Sequence, residues 1–81
     1  MKLTVKYFAS IREALGQGSE TFETGSSDLA ALRDELIARG DPYAQALARG
    51  QAVRVAIDQV MSDESAALNE GCEVAFFPPV T

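Results

Sequence analysis

Apolar and polar residues alternate in three stretches of the chain and recur at helical spacing in a fourth, and that contrast lays out an architecture. Leu3, Val5 and Tyr7 alternate with Lys2, Thr4, Lys6 and Phe8, the period of a half-buried strand whose core face takes the odd positions. The same parity turns Phe8 away from the core, to the side of the lysines. Val53, Val55 and Ile57 alternate with Arg54, Ala56 and Asp58 in the same manner. In the last stretch Cys72, Val74 and Phe76 share one face of a strand while Glu73, Ala75 and Phe77 share the other. The first set is a core face, and the second carries a phenylalanine that needs another explanation.

Leu29, Leu32, Leu36 and Ile37 follow one another at helical spacing and predict the main helix, Asp28 to Arg39. Asp28 offers the N-cap, Gly40 and Pro42 mark the stop, and Glu35 is expected to pair with Arg39 across one turn. A shorter helix, Ser10 to Leu15, is predicted from a capping box of Ser10 and Glu13 and from Gly16 at its end. Ser19 to Thr24 is β-prone but polar apart from Phe22, as an edge strand would be. Pro42 restarts a short helix with Tyr43 and Leu47 on one face, Gly50 ends it, and Val60-Met61 predicts a brief strand before a loop from Ser62 to Glu70.

These elements predict an α+β fold, a ubiquitin-like β-grasp roll with a mixed sheet of four to five strands and one main helix packed on one face. The expected core is Leu3, Val5, Tyr7, Phe22, Leu29, Leu32, Leu36, Ile37, Val53, Val55, Ile57, Val74 and Phe76. In such a roll the first and last strands lie parallel at the centre, which brings the outward rings of Phe8 and Phe77 near each other as an interface patch. Burial of Phe77 under the Tyr43 to Leu47 segment or the loop after Met61 is the competing expectation. Residues 1–77 form the domain, and 78–81 are read as an extended tail, because Pro78 and Pro79 donate no ladder hydrogen bonds and hold a polyproline-like backbone. Val80 and Thr81 then extend beyond the body.

Composition narrows what this fold does. Eighty-one residues form one domain that buries about 60% of its unfolded surface, too little for both a core and a deep cleft. A net charge of −5 disfavours nucleic acid and anionic membranes as partners and suits a basic protein surface. One cysteine and no histidine leave no internal disulfide, no expected metal site and no nucleophile paired with a base, so no catalytic residue is expected. Cys72 faces inward and is expected to be structural. A reducing, cytoplasmic setting fits, and the alternating N-terminal stretch reads neither as a signal peptide nor as a membrane span. Asp28, Asp34, Glu35, Asp63 and Glu64 are expected to be solvated.

Tyr7-Phe8-Ala9-Ser10-Ile11-Arg12-Glu13 near the start and Gly71 through Thr81 at the end, with Phe-Phe-Pro-Pro-Val as the specific part, resemble the small, sulfur-carrying subunits of molybdopterin synthase. The resemblance implies a carrier without an active site that assembles with a large catalytic subunit as a heterotetramer. It implies a tail ending in Gly-Gly, whose carboxylate an E1-like adenylyltransferase activates with ATP and a sulfur donor protein converts to a thiocarboxylate. That sulfur then goes to precursor Z. By position, Phe8, Met61 and Phe77 match the contacts with the large subunit, and Pro78, Pro79, Val80 and Thr81 match the inserted tail. The sequence ends at Thr81 without the two glycines, so a chain of this form is expected to bind without carrying sulfur. A carrier for another pathway, such as thiamin, and a plain interaction module are the alternatives.

Overall fold

The structure, a computed structural model, describes residues 1–79. It contains β1 (Lys2–Tyr7), α1 (Ala9–Leu15), β2 (Ser19–Glu23), α2 (Leu29–Ile37), α3 (Tyr43–Ala46), β3 (Arg54–Ile57), β4 (Val60–Ser62) and β5 (Glu73–Phe77). The strands form one mixed sheet in the order β2-β1-β5-β3-β4, with β1 and β5 parallel and every other pair antiparallel. This is the β-grasp roll that the alternation predicts. β5 is its central strand, and the core-facing residues of β1, β3 and β5 meet in register as Val5 beside Val74, Tyr7 beside Phe76 and Val55 beside Phe76.

Leu3, Val5, Tyr7, Val55, Val74 and Phe76 are buried beneath Leu29, Leu32 and Leu36 of α2. Ile11, Leu47 and Leu68, absent from the expected core, are buried with them, whereas Phe22, Ile37, Val53 and Ile57 are only half-buried and pack against its margin. Cys72 lies inside this cluster, free and buried, as its parity requires. Asp28 caps α2 by accepting from the Ala31 N–H at 2.8 Å. Gly40 follows the helix at φ 87°, a left-handed backbone that costs glycine little.

The capping box at Ser10 does not form. α1 begins at Ala9 with Phe8 as N-cap and no side-chain cap; the Phe8 carbonyl accepts from Ile11 and Arg12 at 3.1 and 3.2 Å. The reason is a long-range bond: the Phe8 N–H donates to the Phe76 carbonyl at 3.1 Å, carrying the β1–β5 ladder one residue further. Ala9, at φ 51°, must then turn the chain within a single residue. The Glu35–Arg39 pair also fails, because α2 ends at Ile37 and Arg39 leaves the helical spacing. Glu35 instead accepts from the Thr24 hydroxyl and from the Ser26 hydroxyl, the latter at 2.9 Å, while Arg39 reaches Glu20 at 3.0 Å.

Glu64, expected to be solvated, is held by two arginines. Arg33, only 3% exposed, donates to Glu64 at 2.9 Å and to the carbonyls of Leu47, Ala48 and Gln51 at 2.7, 2.7 and 3.3 Å. Arg49 reaches both Glu64 and Asp34. Asp63 stays exposed, with the Ser65 hydroxyl and N–H holding its carboxyl below the usual carboxylate range.

Candidate functional site

All three helices pack on one side of the sheet, so the other side is open, and strand parity decides which residues stand on it. The register sets Lys6, Ala75, Ala56 and Met61 in one row across β1, β5, β3 and β4. Arg54 and Phe77 form the next row, with Phe8 beyond the end of β1. One row below, Glu73 meets the Lys6 ammonium at 3.2 Å. The middle of the face is therefore low, with two alanines flanked by an ion pair, an aromatic rim and a methionine.

Phe8 and Phe77 come together as their parities require. Their ring centroids lie 6.4 Å apart at an interplanar angle of 87°, an edge-to-face pair. Phe8 is 44% exposed; Phe77 is half-buried but not covered by the Tyr43 to Leu47 segment, whose aromatic contact is with Tyr7. Phe8 is fixed through its backbone on both sides, by the N–H bond to Phe76 and by its carbonyl at the start of α1. Pro78 and Pro79 follow directly from this corner and are half-buried, while Val80 and Thr81 lie outside the described residues.

Met61 stands on the same face, 55% exposed, opposite Ala56. It does not join the aromatic pair, because two strand spacings, about 10 Å, separate β4 from β5. Arg54 fills part of that interval beside Phe77. Sequence reasoning assigned it no role, although its even position between Val53 and Val55 already placed it on the open face. Val60, 66% exposed at the β4 edge, pairs with Ile57 and so stands on the helix side of the sheet.

The strongly perturbed ionisable groups lie elsewhere, beside the β2 edge on the helix side. The Tyr7 and Tyr43 hydroxyls donate to one oxygen of Glu20 at 2.7 and 3.2 Å, and Gln17 donates to the same oxygen at 3.1 Å. Burial opposes charge on Glu20, but the hydrogen bonds from Tyr7 and Arg39 outweigh it and hold the carboxyl below its usual range. Burial, reinforced by the Glu20 carboxylate, pushes the Tyr7 phenol well above its ordinary value. The Arg39 guanidinium lies over Tyr43 at 4.3 Å from the ring centroid. Among the described residues no buried side-chain polar atom lacks a partner, and the hydrogen bonds of this cluster join Glu20 to Tyr7, Tyr43, Gln17 and Arg39, so it is a structural clasp between β2 and α3. Among the described residues no group of three or more acidic, cysteine or histidine side chains is placed to hold a metal, and no helix is long and apolar enough to cross a membrane.

Comparison with known proteins fits this geometry. A molybdopterin synthase sulfur carrier subunit from Haemophilus influenzae is 39% identical over 79 residues, covering 98% of this chain and 96% of that protein. The subunit of the same name from Escherichia coli is 35% identical over the same shares. Among solved structures, small archaeal modifier protein 1 of Haloferax volcanii superposes with a TM-score of 0.77 at 21% identity over 98% of each chain. Subunits 1 and 2 of the Helicobacter pylori molybdopterin-converting factor form a complex, one chain of which superposes with a TM-score of 0.69 at 20% identity, over 100% of this chain and 97% of that one. The model of the ThiS family matches residues 5–81, and with it the strand, the aromatic corner and the tail, so the chain belongs to the ThiS family.

Proposed function

We propose that this chain is the sulfur carrier subunit of molybdopterin synthase, delivering sulfur to precursor Z as a C-terminal thiocarboxylate. The observation that carries the proposal is near full-length identity of 39% and 35% to two proteins named as that subunit. The open face supports it: the exposed Phe8–Phe77 corner stands where the chain leaves the sheet, so one docking event seats the face and aims the tail. The partner is the large catalytic subunit, and the face presents Phe8, Met61 and Phe77 to it within a heterotetramer. Pro78 to Thr81 thread into that subunit, and Pro78 and Pro79, whose rings already fix φ, lose little entropy on insertion. The carrier has no active site of its own and binds no cofactor; ATP is consumed by the adenylyltransferase that activates the tail, and a sulfur donor protein completes the thiocarboxylate. The setting is the cytoplasm.

Chemistry at the tail tests this reading. The chain as it stands and the chain extended by Gly-Gly are incubated with the adenylyltransferase, ATP and a sulfur donor, and their intact masses are compared. Exchange of one terminal oxygen for sulfur is expected in the form extended by Gly-Gly, whose carboxylate reaches about 7 Å further. Adding the large subunit and precursor Z should then yield molybdopterin. Sulfur loaded but not passed to precursor Z would assign the chain to another pathway, such as thiamin. No loading in either form would leave an interaction module.

A further inference from the structure

β4 is a three-residue edge strand whose only ladder among the described residues is with β3, yet it carries the exposed Met61. So short a hairpin arm is poorly held by its own hydrogen bonds. Both of its ends, however, are fastened by charged side chains. At the turn, Asp58 and Gln59 adopt φ of 49° and 69°, a tight two-residue reversal usually built from asparagine and glycine. There the Asp58 carboxylate accepts from the Glu73 N–H at 2.9 Å, and the Asp58 N–H donates to the Glu73 carbonyl at 2.8 Å. At the far end, two residues beyond β4, the Glu64 carboxylate meets Arg33 at 2.9 Å and also Arg49, and the Glu64 carbonyl accepts from the Ala30 N–H at 2.8 Å.

A buried arginine is a costly way to fill a core, since an apolar side chain of similar size often stabilises as well or better. What the Arg33–Glu64 pair adds is position. Arg33 is fixed by three carbonyls of the α3–β3 connection, so Glu64 satisfies it only with the end of β4 at one height above α2. We propose that Glu64 and Asp58 are positioning residues that clamp β4 at its two ends and hold Met61 ready for the large subunit. The proposal rests on the open face being the docking face. The clamp itself is a property of the free chain.

The test uses Glu64→Gln, which keeps the side chain's size and an acceptor oxygen, and Asp58→Ala at the other end. In the free chain each variant should speed amide exchange in β4 by about tenfold while β1 and β5 stay protected. Each should also weaken calorimetric binding of the purified large subunit by about three- to tenfold, and in a Met61→Ala background neither should weaken it further. Ile37→Val, a destabilised control at the core margin away from β4, should alter neither readout. Unchanged β4 exchange overturns the clamp, and so does an affinity loss that persists in full without the Met61 side chain. Should the wild-type chain not bind the large subunit at all, the proposed function falls, and exchange alone decides: selective loosening of β4 upholds the clamp and its absence overturns it.

Discussion

The two faces of the sheet are built from the same strands but meet different demands. On the covered face Leu3, Val5, Tyr7, Val55, Val74 and Phe76 are all at most 4% exposed and fill the space beneath α2. On the open face the alternate positions hold Lys6, Arg54, Ala56, Glu73, Ala75 and Phe77. The first set is uniformly large and apolar, as a packed interior requires. The second mixes charge, small residues and an aromatic corner, the alternation of a sheet side that no helix covers. One face keeps the chain folded, and the other is the one proposed above to meet a second protein.

Core truncation should sharpen this contrast most. Leu32→Ala or Phe76→Ala is expected to cost about 2 to 5 kcal/mol in urea unfolding, because each removes a fully buried side chain and leaves a cavity. Neutral values for both would erase the distinction between the faces. The converse substitutions, Phe8→Asp and Phe77→Asp, should leave circular dichroism native while abolishing capture of the large subunit. Each ring is worth about 1.5 to 3 kcal/mol of burial in a complex. A collapsed spectrum would make these rings core, and the open face would lose its role.

Acid should act on the covered side through Glu20. Glu20 has a depressed carboxyl in the fold, so its contribution is present above the unfolded value and is lost as pH falls through the folded one. Stability should therefore drop from about pH 5 downward, and Glu20→Gln should flatten that slope. A slope that survives the substitution would take the clasp out of the account. The smallest expected effect is at the β3–β4 turn. Gln59 sits at φ 69°, and Gln59→Gly should raise stability by about 0.5 to 1 kcal/mol with binding retained, read from melts and calorimetry.

Much of this was legible in the chain because a period of two fixes faces without any knowledge of neighbours. Leu3, Val5 and Tyr7 announce β1, and the even position of Phe8 places its ring correctly before any partner strand is known. What stayed hidden depends on residues distant in sequence. The start of α1 is set by a bond from Phe8 to Phe76, which local capping chemistry at Ser10 cannot reveal. Arg33 finds Glu64 across 31 residues and Arg39 finds Glu20 across 19, so helical spacing offered Arg39 the wrong partner. Leu68 lies in a stretch without periodicity, and only the docking of that loop on α2 buries it. Met61 is exposed as its resemblance to carrier contacts suggested, but its separation from the aromatic corner needed the strand order.

The claim that the open face is the docking face can be tested residue by residue. The isotope-labelled chain is titrated with unlabelled large catalytic subunit, and backbone amide resonances are followed. Shifts and broadening should concentrate at Lys6, Phe8, Arg54, Met61 and Phe77, with Leu29 to Ile37 of α2 unmoved. Perturbation centred on α2 and α3, with those five open-face residues unchanged, would contradict the account.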